Sequence, residues 1–164
     1  MVNPLVFKLL VRRPHAEPTP VAPVPARPAG HDVVIGYGRV GSLIGAALAR
    51  ESGRLIVIET GEDNLQRARR DGADTLIGNA ADPETLASAD LAAARRLFVT
   101  IPEPFEAGQV VQQARALNPT LDILARAHSD AAVTHLSGLG ASLVVLGERE
   151  IAERMIERAR GGVS

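Results

Sequence analysis

The residues Gly36-Tyr37-Gly38-Arg39-Val40-Gly41 form the most specific chemistry-bearing pattern in the chain. Each glycine has a mechanical reason to be there. Gly36 allows a tight turn, Gly38 lets a phosphate approach the backbone, and Gly41 allows a helix to pack closely on the preceding strand. The phosphate would sit at the start of that helix, where N–H groups have no intrahelical partner and the helix dipole favours an anion. Arg39 would add a cation beside it, and Tyr37 and Val40 complete the loop. The plain alternative is a tight turn that binds nothing.

A second group follows 18 residues after Gly41, where Glu59-Thr60 ends the apolar run Leu55-Ile56-Val57-Ile58. A carboxylate at that place can accept both hydroxyls of a ribose, and its charge would repel a 2′-phosphate, which disfavours NADP. Otherwise Glu59 is a solvated residue near a helix start. Asn79, Ala80 and Asp82, in Gly78-Asn79-Ala80-Ala81-Asp82, are candidates for contacts to adenine or its ribose, with helix capping as the competing role for Asp82. Thr100 and Ile101 should line the same crevice, Thr100 as a hydrogen-bond donor toward the nicotinamide side of a ligand. Arg126, inside an otherwise apolar strand, needs a partner if buried, either a phosphate or a carboxylate of the protein.

These residues need a scaffold that brings the ends of several strands to one edge. From His31 onward, strand-like and helix-like runs alternate. Strands are expected at 32–35, 55–58, 74–77, 97–101, 122–127 and 142–146. Helices are expected at 38–50, 64–70, 83–93, after Pro104, from Ser129 to 139, and at 148–160. Such alternation implies parallel pairing with helices on both faces, a three-layer α/β Rossmann-like doubly wound sheet of order 3-2-1-4-5-6. The last helix carries Ile151, Met155, Ile156 and Ala159 on one side. Packing on its own domain is the simpler reading, and crossing to a second subunit the other. Glu148 and Glu150 favour its N-terminus.

Composition narrows the function. The chain of 164 residues fits one domain with a tail, and its aromatic content of 2% leaves a core of Val, Ile, Leu and Ala. Without cysteine there is no disulfide scaffold, thiol nucleophile or Cys-ligated metal. A net charge of −1 with few aromatics speaks against nucleic acid. His15, His31, His128 and His135 show no metal-ligand spacing, so no metal is expected. No catalytic set accompanies the glycine pattern, which points to a ligand held and not transformed.

Three segments are expected: an apolar and basic stub (1–13), a proline-rich linker (14–30) and the folded unit (31–164). The first 30 residues carry +3 against −4 for the remainder. The stub is too short to cross a bilayer and is interrupted by Pro4 and Lys8. Its apolar run ending in Arg12 and Arg13 reads as the cytoplasmic end of a membrane helix or as a disordered start. The linker's six prolines favour extended chain.

The segments VVIGYGRVGSLIG, VIETGEDNLQRARRDGADTLIGNAADPETL, TIPEPFEAGQVVQQARALNP, ILARAHSDAAVTHLSGLGA and VVLGEREIAERM together resemble a known family. It is the nucleotide-binding N-terminal lobe of the regulator of potassium conductance and Trk-type uptake (RCK N, TrkA-N). In particular the segments resemble the version at the C-terminus of Kef-type monovalent cation:proton antiporters. The resemblance covers about residues 32–156, and Asn3-Pro4-Leu5 resembles the end of the last membrane helix of those antiporters.

The resemblance implies a cytoplasmic domain at the inner face of the membrane, a homodimer, and an adenine nucleotide (NAD(H), AMP or ATP) that regulates ion flux. It places the glycine loop on Gly36, Gly38, Arg39, Val40 and Gly41, the ribose carboxylate on Glu59, adenine-side contacts on Asn79, Ala80 and Asp82, and a contact on Thr100. Arg126 matches an arginine near the nucleotide or the subunit interface. No membrane domain and no second ligand lobe are expected within the sequence, so the chain would regulate transport by an attached or separate antiporter domain and not transport ions itself. Two alternatives stand beside this reading: an NAD-dependent oxidoreductase fragment or single-domain reductase, and a purely structural dimerisation domain.

Overall fold

The computed structural model describes residues 30–51 and 53–161, so the expected stub and all but the last residue of the linker lie outside the described residues. Six parallel strands, β1 (Asp32–Ile35), β2 (Leu55–Glu59), β3 (Asp74–Ile77), β4 (Arg96–Val99), β5 (Asp122–Ala127) and β6 (Leu143–Leu146), form one sheet in the order β3-β2-β1-β4-β5-β6. The connecting helices are α1 (Arg39–Ala49), α2 (Glu62–Arg70), α3 (Pro83–Ala87), α4 (Pro104–Leu117) and α5 (Asp130–Gly138), and α6 (Gly147–Ala159) follows β6. The expected order is therefore the observed one.

Strand β1 is apolar at three consecutive positions because both its faces are covered. Val33 and Ile35 pack with α4-side residues such as Val110 and Val111, whereas Val34 packs with Leu48 and Ala68 on the α1–α2 side. Edge strands β3 and β6 alone lack fully buried residues.

The third helix differs from its expected extent of 83–93, ending at Ala87. Beyond it Asp90 takes a positive φ of 48°. The carbonyls there bond to distant side chains: His31 Nε2 lies 2.7 Å from the Ala89 oxygen, and Asn118 Nδ2 donates to the carbonyls of Leu91 and Ala94 at 2.9 and 3.2 Å. Tertiary contacts override the local helical pattern.

The simpler expectation for the last helix is corrected too. No residue of α6 is buried, and Ile151, Met155 and Ile156 all face solvent. The α1–α2 face of the sheet is correspondingly open over β4, β5 and β6. There Phe98, Leu124 and Val145, with Ile44 of α1, line an apolar groove of about 270 Å³.

At the N-terminal end of the central strand β1, Asp32 is 2% exposed and accepts paired bonds from Arg95 (2.9 and 2.8 Å) and from Arg96 (2.9 and 2.8 Å). Burial pushes its pKa up, but the bonds from Arg96 and Arg95 outweigh this and bring it from the ordinary 3.8 to about 2. Because the folded value is the lower one, this stabilisation is complete above about pH 4 and is lost as pH falls toward 2. It amounts to about 2 kcal/mol. Asp32→Asn should cost about 3 kcal/mol in urea unfolding at neutral pH and flatten the acid limb between pH 4 and 2. An unchanged acid limb would show that the clamp does not hold the starts of β1 and β4 together.

Candidate functional site

Where the strand order reverses, between β1 and β4, the loops at the C-terminal edge part to leave a cleft of about 500 Å³. The glycine loop forms its floor. Gly36 has φ of +82°, a conformation that disfavours any side chain, and follows β1 directly. A Cβ on Gly41 would overlap the carbonyl of Gly36, so α1 can lie this close to the strand only with glycine there. Gly38 is different. Its φ is −73° and nothing lies within 4 Å of a Cβ built on it, so the absent side chain leaves the space open to a ligand. It is also the N-cap of α1 and makes no side-chain cap bond, and the first turn holds no acidic residue. The amides at this helix start are therefore free to meet an anion.

Glu59 ends β2 across the cleft from α1. Its Oε1 accepts from the amides of Thr60 (2.7 Å) and Gly61 (2.9 Å), and its Oε2 from the Tyr37 amide (2.8 Å) and Asn64 Nδ2 (3.1 Å). Burial raises its pKa, but the bonds from Tyr37, Gly61, Thr60 and Asn64 outweigh that and hold it below the usual carboxylate range. The carboxylate thus stays ionised and ties the glycine loop to the β2–α2 turn.

Most of the expected residues come together. Gly36, Gly38, Arg39, Val40, Gly41, Glu59, Thr60, Asn79, Ala80, Thr100, Ile101 and Arg126 all line the cleft. Tyr37 and Asp82 do not. The Tyr37 ring is fully buried beneath the loop, its hydroxyl donates to Asp71 Oδ2 at 2.8 Å, and burial with that carboxylate pushes its pKa up. Asp82 caps α3 by accepting from the Glu84 amide at 3.2 Å, the competing role weighed for it.

Two expected roles change. Thr100 is 8% exposed and its hydroxyl donates to the carbonyls of Ile35 (2.9 Å) and Gly36 (3.0 Å), so it fastens the loop instead of offering a proton to a ligand. Arg126 is half-buried, not enclosed, and among the described residues no carboxylate lies within ion-pair distance of it.

The cleft also holds residues that the sequence reading did not single out as ligand-facing: Asn64, Glu103, Glu106 and His128. All but Asn64 follow β4 or β5 within a few residues, and the rule that ligands gather beyond the carboxyl ends of strands was the available signal. Gly45 had no such signal: a Cβ there would run into the Tyr37 ring, a contact between a loop and a helix eight residues on. From this geometry, Glu59→Gln should destabilise the protein by about 1–2 kcal/mol even without ligand. An amide cannot present two acceptor oxygens to the donors gathered there, and urea unfolding would measure the loss. Unaltered stability would leave Glu59 no organising role.

The family model of the TrkA-N domain matches residues 33–147. YbaL of Escherichia coli (strain K12), assigned as a cation/proton antiporter, is 44% identical over 134 residues, which is 82% of this chain and 24% of YbaL. The glutathione-regulated potassium-efflux protein KefC of Salmonella arizonae is 29% identical over 128 residues, or 78% of this chain and 20% of KefC. The chain therefore spans about a quarter or less of these relatives. The crystal structure of the TrkA-N domain of inner membrane protein YbaL from Escherichia coli is 45% identical with a TM-score of 0.75, covering 79% of this chain and 96% of that one. Two more distant structures share the fold. The Shewanella denitrificans Kef C-terminal domain in its AMP-bound form has a TM-score of 0.70 at 23% identity, with 80% of each chain covered. The GsuK channel bound to NAD has 0.64 at 21%, covering 74% of this chain and 22% of that one.

Proposed function

The chain belongs to the TrkA-N domain family, and on that footing we propose that it is the regulatory domain of a Kef-type cation:proton antiporter. It lies on the cytoplasmic side of the membrane, binds an adenine nucleotide and passes the bound state to the transport domain. The observation that carries this reading is the uncapped start of α1 beside Arg39, facing the ionised Glu59 across one cleft. An anion seat beside a ribose-binding carboxylate matches the ribose phosphate half of an adenylate. The AMP and NAD held by two structures of the same fold support it.

Holding, and not transforming, is the chemistry this cleft favours. Glu59 and Glu103 both spend their oxygens on backbone N–H bonds, which leaves them organising the loops around the cleft.

A second copy of the chain is the partner that fits the open α1–α2 face. The apolar groove by Phe98, Leu124 and Val145 and the exposed stripe Ile151, Met155 and Ile156 are adjoining surfaces that a monomer leaves wet. Nucleotide control then requires different affinities for two arrangements of that dimer.

Calorimetric titration with AMP, NAD⁺, NADH and ATP should show binding by the wild type and none by Gly38→Asp. The substituted side chain has room, so this variant folds, but its carboxylate occupies the anion seat. No heat and no thermal shift with any adenylate would leave a structural module, and NADH turnover with a carbonyl substrate would favour a reductase. In sedimentation, Met155→Glu should weaken self-association about tenfold or more. Unchanged sedimentation would remove α6 from the interface.

A further inference from the structure

Resting on the nucleotide reading of the cleft, we propose that it discriminates among adenylates by the charge beyond the α-phosphate, taking AMP in preference to ATP, with Glu103 and Glu106 as the discriminating residues. Three helices begin at this cleft, and they do not treat anions alike. Helix α1 starts uncapped and carries no acid in its first turn. Helix α2 has its Gly61 amide on Glu59 and carries Glu62 and Asp63 in its first turn. Helix α4 is closed by its own chain: Glu103 accepts from the amides of Phe105 (3.0 Å) and Glu106 (2.7 Å), and Glu106 follows in the first turn.

The sheet order then sets the direction of a bound adenylate. Glu59 lies on β2, to one side of β1, so a ribose there leaves the α-phosphate over the start of α1. Any further phosphate must continue to the other side of β1, toward β4 and α4. There the chain meets two carboxylates, Glu103 and Glu106, both lining the cleft. Arg126, at the same end, is one cation against these two acids and pairs with neither, and His128 beside it lies 3.5 Å from Glu148. The amides that would otherwise receive a second anion at α4 are already bonded to Glu103. Each added phosphate charge therefore finds no free donor at that helix and a repulsive pair of side chains in its place.

The test is calorimetry of the wild-type chain with AMP, ADP and ATP in a chelating buffer. Divalent cations must be absent, because Mg²⁺ between phosphates and carboxylates would cancel the repulsion. Affinity should fall in the order AMP, ADP, ATP, with AMP about tenfold or more tighter than ATP at low salt and the ratio shrinking as salt is added. In Glu106→Gln, and more so in Glu103→Gln/Glu106→Gln, the AMP-to-ATP ratio should drop about threefold or more. Wild type that binds ATP as tightly as AMP would overturn the discrimination while leaving the nucleotide reading intact. A ratio unmoved in Glu106→Gln would overturn the assignment to these residues. Failure of AMP itself to bind would remove both.

Discussion

A single carboxylate at the end of β2 accepts hydrogen bonds from two separate loops, and the geometry of the cleft depends on it. Glu59 receives the Tyr37 amide from the glycine loop and the Thr60 and Gly61 amides from its own turn. Without a charged acceptor at that place, three N–H groups of tight turns would be left without protein partners where loops already crowd. The same arrangement fixes how a ligand can use Glu59. A ribose hydroxyl must share an already well-bonded oxygen, and Asn64, as a side chain, is the contact most easily exchanged.

The two sides of the sheet differ in completeness. On one, α3, α4 and α5 close a continuous apolar core of Val, Ile, Leu and Ala over all the central strands. On the other, α1 and α2 cover only the β1–β2 region, and α6 stands away from β4, β5 and β6. The cleft and the uncovered face share a boundary, because Val40, Thr100 and Arg126 line both the cleft and the apolar groove. A displacement of Arg126 by a ligand would therefore be felt on the face where a second copy is proposed to dock.

Much of this was legible in the sequence because it is local. Three glycines at the end of an apolar run, an acid closing the next run and alternating periodicities define the loop, the position of Glu59 and the strand order. The unread parts depend on contacts between residues far apart in the chain. Helix α3 stops early because His31 and Asn118 reach carbonyls beyond Ala87. Thr100 turns inward because the Ile35 and Gly36 carbonyls lie beneath it. The stripe on α6 is as regular as any buried one, and periodicity alone cannot say whether the surface it matches belongs to the same molecule.

The chain has no tryptophan and a single tyrosine, and that tyrosine lies directly under the glycine loop with its hydroxyl on Asp71. Tyrosine emission from the whole protein therefore originates at one ring, packed beneath the glycine loop against α1 and outside the cleft itself. An unlabelled sample carries its own optical gauge of that loop, and a shift in the Tyr37 to Asp71 contact would alter the signal with no background from other tyrosine or tryptophan residues.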